Sequence, residues 1–193
     1  MRKAPMKNPD SKILVVHLMG ITNSGKSTLI EAAKAQGYYN IGFVEVGKEM
    51  RKRYSPETFK GKGAMDSTEE EVLQIFHEQM QAAKDAGANL ILVDGQPRMP
   101  SQIPIMMNSP RRKYILLKES DEVILERIKN RDSDPAAVEL SMQRFKNDKV
   151  QIFDVLTDLI RMNEPVKVVS VMDDYHGQPE ILLRTLITYA ETL

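Results

Sequence analysis

An open parallel β-sheet of five strands, with helices on both faces, is the architecture this sequence predicts. Three observations carry the expectation. Short apolar runs of strand length recur along the chain and alternate with longer segments of helical period. The runs are rich in Val, Ile and Leu with little polar alternation, the pattern of strands covered on both sides. The length, 193 residues, suits one compact α/β/α sandwich of three layers.

The elements follow in chain order. Residues 1–11 carry three basic residues and two prolines and read as a flexible leader, without the apolar stretch of a signal peptide. KILVVHLM, at 12–19, is the first strand. After a loop from Gly20 to Gly25, KSTLIEAAKAQ places Leu29, Ile30 and Ala33 at helical spacing, and Gly37 is a natural stop. IGFVEV (41–46) is the second strand, KEMRKRY (48–54) a short basic helix, and 55–66 a loop rich in Gly, Lys and Pro. STEEEVLQIFHEQMQAAKDAG opens with a Ser/Thr cap and an acidic first turn, then runs as a long helix to Gly87. ANLILVDG and KYILLK (113–118) are the third and fourth strands. DEVILERIKNR (121–131) is an amphipathic helix, DSDP (132–135) interrupts it, and a long helix is expected from about Ala137 to Arg161. VKVVSV (166–171) is the fifth strand, and QPEILLRTLITYAETL a closing helix with Pro179 in its first turn.

Composition narrows the functional classes. Lys and Arg total 27 and Asp and Glu total 27, so the net charge of zero gives no support to a general polyanion binder such as a nucleic-acid protein. No apolar run approaches the roughly 18 residues a bilayer span needs. The absence of Cys excludes disulfides, thiolate metal sites and cysteine nucleophiles, and the three His, at 17, 77 and 176, are too scattered for a zinc site. His17, inside the first strand, reads as a core residue. A monomer in a reducing, cytoplasmic setting, with no nucleic-acid or membrane partner, is the expectation.

The loop between the first strand and helix, Gly20-Ile21-Thr22-Asn23-Ser24-Gly25-Lys26-Ser27, matches G-x-x-x-x-G-K-[ST] in full and sits in the required context. Its glycines let the backbone close around a phosphate, its N–H groups and the start of the helix attract anions, and Lys26 can reach the outer phosphates. Ser27 can ligate Mg²⁺, and Thr28 continues the loop. The fold class is therefore that of a P-loop NTPase. Asp94, ending the third strand, suits a Mg²⁺ contact made at least partly through water, although taken alone it also fits a helix cap or turn.

Further motifs resemble those of adenylate kinases and related nucleoside monophosphate kinases. Asp94-Gly95-Gln96-Pro97-Arg98 is similar to the family's D-G-F-P-R, with Gln96 replacing the aromatic, and Gln102 stands at the spacing of the family's adenine-contacting Gln. Gly47-Lys48-Glu49-Met50-Arg51 resembles the G-D-x-x-R segment, and Gly61-Lys-Gly-Ala-Met-Asp66 the G-K-x-x-x-D stretch. Asp121 to Arg131, with Arg127 and Arg131 on one helix face, resembles the helix before the lid, and Arg144 follows in register. The resemblance covers about residues 13–175. It implies a kinase domain over 12–193, an acceptor-binding insertion at about 47–86 and a minimal lid at about 132–136. The very short lid, Val46 and Lys48 depart from the family's pattern.

The implied activity is transfer of the γ-phosphoryl of ATP, with Mg²⁺, to AMP or dAMP. The resemblance implies Lys26, Arg98, Arg131 and Arg144 as catalytic groups and Arg127 as a clamp on the donor nucleotide. It implies Gly47, Arg51, Gly95, Arg98 and Gln102 for the acceptor. Three readings stay open: an AMP kinase, a kinase for CMP, UMP, dTMP or a small metabolite alcohol with Asp94 as base, and a non-catalytic nucleotide switch. Each arginine by itself also reads as a solvated surface charge.

Overall fold

Strand β1 (Leu14–Met19) runs through the centre of the molecule with every residue buried. The computed structural model describes residues 12–37, 40–53, 68–107, 109–131, 134–170, 174–175 and 177–191. The leader at 1–11, the span 54–67 with its Gly61 to Asp66 stretch, and residues 132 and 133 of the lid segment lie outside the described residues.

The chain continues through α1 (Lys26–Ala35), β2 (Ile41–Val44), α2 (Val46–Arg53) and α3 (Glu69–Asp85) to β3 (Leu90–Asp94). A 3-10 turn (Pro100–Gln102) leads into the short α4 (Ile103–Met106), then β4 (Arg112–Leu117), α5 (Asp121–Arg131), α6 (Pro135–Arg161), β5 (Val166–Val169) and α7 (Pro179–Glu191). The five strands are parallel in the order β2-β3-β1-β4-β5. This is the P-loop NTPase arrangement of an α/β sandwich.

Alternation along β1 sends its side chains to two cores. Leu14, Val16 and Leu18 pack with Leu29, Ile30 and Ala33 of α1 and with Leu182, Leu183 and Leu186 of α7. Val15 joins Val46 and Met50 of α2 and Val72, Ile75 and Phe76 of α3 on the other face. On that face Met19 and Tyr114 also meet Val155 and Leu159 of α6. Each fully buried aliphatic chain stabilises the fold by about 1.5–3 kcal/mol. Strand β5 departs from the expectation of double coverage. It ends the strand order, and Lys167 and Val168 are exposed.

The helix starts follow local chemistry. Thr68 caps α3: its hydroxyl accepts from the Glu71 N–H at 3.3 Å, and the Glu71 carboxylate accepts from the Thr68 N–H at 3.0 Å. Such a cap is worth about 1 kcal/mol. Helix α6 begins at Pro135, two residues before the expected Ala137, because Asp134 accepts from the Ala136 N–H at 3.2 Å and Pro fits the first turn. The second strand was expected to reach residue 46 but ends at Val44. The Glu45 N–H donates to the Gln79 side chain at 2.7 Å, and the Glu45 carbonyl accepts from Lys48 and Glu49, both at 3.0 Å, so the chain turns into α2.

Gly42 marks where β2 meets α3 most closely. A Cβ there would lie 2.5 Å from Ala83 Cβ and 3.2 Å from Ala88 Cβ, neither of which can rotate away. Gly42→Ala is expected to destabilise the protein by about 1–3 kcal/mol through overpacking. A urea melt checks this, and an unchanged midpoint would mean that α3 moves aside without cost.

Candidate functional site

The loop after β1 owes its path to two glycines. Gly20 has φ 149°, and a Cβ there would lie 2.4 Å from Ser24 Oγ and 2.7 Å from the Leu117 carbonyl oxygen. Gly25, at φ 97°, begins α1, and no side chain caps that helix. The first turn of α1 therefore presents its N–H groups at the mouth of the loop, where an anion would sit. Asn23 adopts φ 59°, a left-handed conformation that Asn tolerates.

Lys26 folds back over this loop. Its Nζ donates to the Gly20 and Ile21 carbonyls at 2.6 and 2.8 Å and to Ser24 Oγ at 3.2 Å. Burial pushes the ammonium down to about 8 from an ordinary 10.5, with Arg98 acting in the same direction and Asp94 and Asp148 opposing it. Ser27 and Thr28 are exposed beside it and face the same cleft.

The loop after β3 lies alongside. Gly95, at φ 66°, donates its N–H to the Leu18 carbonyl at 2.9 Å, which sets Asp94 next to the end of β1. One Asp94 carboxylate oxygen is buried with no hydrogen-bond partner among the described residues. Gln96 is buried, and its carbonyl accepts from His17 Nδ1 at 3.2 Å. His17 stacks on Tyr114, with ring centroids 4.9 Å apart, and burial lowers its pKa to about 4, so it is a neutral core residue. Arg98 donates from Nε to the Gly95 carbonyl at 3.2 Å.

Gln102 takes a place the sequence did not suggest. Its Oε1 accepts from the Arg98 and Met99 N–H groups at 2.8 and 3.3 Å, and the residue is 2% exposed. It braces the Arg98 loop from beneath and is absent from the cleft wall, whereas Gln96 lines it.

The remaining arginines approach from the other side. Arg127 donates from Nη1 to the Asn23 carbonyl at 2.9 Å and lies 3.6 Å from the Glu119 carboxylate. Arg131 donates to Asn23 Oδ1 at 2.9 Å and to Ser141 Oγ at 3.4 Å. The i,i+4 spacing read from the sequence thus places both on one loop residue. Arg144 lines the cleft with its Nε buried and without a partner among the described residues, and Arg51 and Gly47 line it from α2. The cleft, of about 1030 Å³, is bounded by all five arginines together with Lys26, Ser27 and Asp94.

Several cleft residues escaped sequence reasoning. Leu140, Gln143, Asn147 and Asp148 join the expected Arg144 in one stripe of α6 facing the cleft. The signal was present in the i, i+3, i+4, i+7, i+8 spacing around Arg144, a polar face on a helix otherwise expected to be amphipathic. Asp148 is the consequential member, because its carboxylate contacts both Thr22 and Arg98.

Among known families, the one described as "AAA domain" matches residues 16–154, more than two thirds of the chain. This chain belongs to that AAA-domain family. Among solved structures, the AAA-domain chain is similar to an unliganded sugar kinase from Janibacter sp. HTCC2649. The alignment covers 93% of this chain and 95% of that one, with 21% identity and a TM-score of 0.57. At that identity the likeness is one of fold. No curated protein matches.

The AAA-domain site fits a hard divalent cation. Ser27 offers a hydroxyl, and Asp94 offers a buried carboxylate oxygen with no hydrogen-bond partner among the described residues. Among the described residues no group of three or more His, Cys, Asp or Glu could hold a metal. Mg²⁺ suits such a sparse set, because it takes most of its ligands from water and phosphate oxygens. No described helix is long and apolar enough to cross a membrane.

The lowered pKa of Lys26 has a pH signature. The unfolded lysine titrates near 10.5 and the folded one near 8, so between those values the unfolded chain holds more protons and stability from this group rises with pH. Triphosphate binding needs the charged form and runs the other way. Triphosphate affinity is expected to be flat below pH 7 and to weaken by up to ~10-fold per unit above about 8. Titrations of ATP across pH 6.5–9.5 read this limb, which should vanish in Lys26→Ala.

Proposed function

We propose that this protein transfers the γ-phosphoryl of ATP to a nucleoside monophosphate, AMP or dAMP, in a Mg²⁺-dependent reaction. The observation that carries this reading is the convergence of Arg51, Arg98, Arg127, Arg131 and Arg144 on the cleft that holds the phosphate loop. Retaining a nucleotide needs fewer cations; transferring a phosphoryl group between two anions needs many. A switch that merely binds nucleotide leaves this clustering without a reason.

The donor phosphates would lie along 20–28, with the α1 N-terminus and Lys26 against them. Lys26 would leave the Gly20 and Ile21 carbonyls to reach the outer phosphates. Ser27 and Asp94 would hold Mg²⁺, directly or through water, and the ion would neutralise phosphate charge. Arg51 and Arg98 would grip the acceptor phosphate, whose planar-fork match with guanidinium favours Arg over Lys. Arg131 and Arg144 would stabilise the migrating group, and Arg127 would clamp the donor nucleotide. The acceptor phosphate oxygen attacks in line and is too weakly basic to require a general base, so catalysis rests on orientation and charge.

A second reading has its own support. The same Asp94 carboxylate oxygen could take a proton from a hydroxyl acceptor, and the fold neighbour is named a sugar kinase. Reading an adenine with Gln102 would also require its amide nitrogen, or release of the two backbone groups it now holds. A coupled assay across AMP, dAMP, GMP, CMP, UMP, dTMP and simple sugars separates the readings. A nucleoside monophosphate is expected to exceed every sugar at least ~10-fold in kcat/KM, a difference of about 1.4 kcal/mol. Turnover of a sugar with none of any monophosphate would replace the proposal with the second reading.

Lys26→Ala is expected to reduce transfer at least ~10²-fold, by analogy with removal of one preorganised charge stabiliser. Circular dichroism should be unchanged, since among the described residues the Lys26 side chain bonds only within its own loop and belongs to none of the hydrophobic clusters. Near-normal turnover by the folded variant would remove Lys26 from the mechanism.

A further inference from the structure

We propose that Asp148 is a positioning residue that ties the phosphate loop to the acceptor-side arginine, holding the donor and acceptor halves of the cleft in one register. The inference rests on the phosphoryl-transfer reading and goes beyond it to a residue that reading does not use. Asp148 is on α6, one turn beyond Arg144. Its Oδ2 accepts from the Thr22 N–H at 2.7 Å, a short bond of the charge-assisted kind. Its Oδ1 lies 3.5 Å from Arg98 Nη1. The Asp148 side chain is 13% exposed, so its bond to Thr22 is shielded from water, while Arg98, 37% exposed, meets it at the edge of the cleft. One carboxylate therefore joins the loop after β1, the loop after β3 and the helix that carries Arg144.

The geometry at Arg98 shows what this accomplishes. Nε is committed to the Gly95 carbonyl and Nη1 to Asp148, while Nη2 meets no acceptor among the described residues. The guanidinium is thus fixed on two sides and presents its remaining donor to the cleft. Without Asp148, Arg98 and Lys26 would lose one of the two carboxylates, Asp94 and Asp148, that offset their charges, and like charges in a partly desolvated cleft push apart. A cavity of about 20 Å³ lies at this junction, bounded by Met19, Gly20, Gly95, Pro97, Arg98 and Asp148 among others. It has room for about one water, so the three segments meet closely around the carboxylate.

Two variants separate the roles of the charge and the hydrogen bond. Asp148→Asn keeps the shape and an oxygen for the Thr22 N–H but removes the charge that holds Arg98. It is expected to lower kcat at least ~10-fold and to raise the acceptor KM, while ATP affinity changes less than ~3-fold. Asp148→Ala removes both contacts, and amide exchange at Thr22, followed by NMR, should accelerate at least ~10-fold in this variant only. Wild-type kcat and acceptor KM in Asp148→Asn overturn the proposal. So does an equal loss of ATP affinity and kcat together with a lowered melting temperature, which marks a residue that only supports the fold. Should Asp148→Ala fail to fold, the isosteric Asp148→Asn decides alone. If the wild-type protein phosphorylates no acceptor in the panel, the proposed function fails separately. Thr22 exchange then still decides whether Asp148 holds the loop: acceleration supports the tie and unchanged exchange refutes it.

Discussion

The ammonium of Lys26 is taken out of bulk water and has to be given acceptors, and much of the site is arranged around that requirement. The phosphate loop supplies them itself, through the Gly20 and Ile21 carbonyls and the Ser24 hydroxyl. A buried cation without such partners would cost several kcal/mol. Meeting that need curls the loop into a ring, and the ring is possible only because Gly20 has no Cβ to strike Ser24 and Leu117. Asp94 and Asp148 bring the compensating charge from two other segments. The three parts of the cleft are thus drawn together electrostatically before any ligand arrives.

The sheet decides where those parts can be. β1 has β3 on one side and β4 on the other, and the chain leaves β1 and β3 toward opposite edges of the sheet. At such a switch the loops leaving neighbouring strands part, and a crevice opens at the carboxyl ends. The phosphate loop and the Arg98 loop are the two walls of that crevice. Helices α5 and α6 then lean over it with Arg127, Arg131, Arg144 and Asp148. The buried registers Leu18 to Asp94 and Leu18 to Ile115 keep the walls from sliding, since a shift of one residue would turn each strand's apolar side chains the wrong way.

Features encoded within a few residues were legible in the sequence. The first strand, the phosphate loop, the Thr68 cap and the shared face of Arg127 and Arg131 each depend on neighbours in the chain, and each has the expected local form. Features that depend on a distant partner were not legible. Strand β2 stops short because Gln79, 34 residues later, claims the Glu45 N–H. Gln102 has the spacing of a base-reading residue, yet its oxygen is occupied by the backbone it supports. Nothing local in the sequence singles out Asp148 on its long helix, and only the fold brings it to Thr22, 126 residues away in sequence.

The tie at Asp148 also constrains which sequences can build this cleft. Thr22 contributes only its backbone N–H to the carboxylate, so its side chain is free to change. Nearly every amino acid serves at that position, and proline, which has no N–H, is the exception. Arg98 and Asp148 contribute charges that answer one another, so neither can be replaced independently. Aligned relatives should therefore show covariation between positions 98 and 148, free drift at position 22, and proline at 22 only where the acid at 148 has been lost.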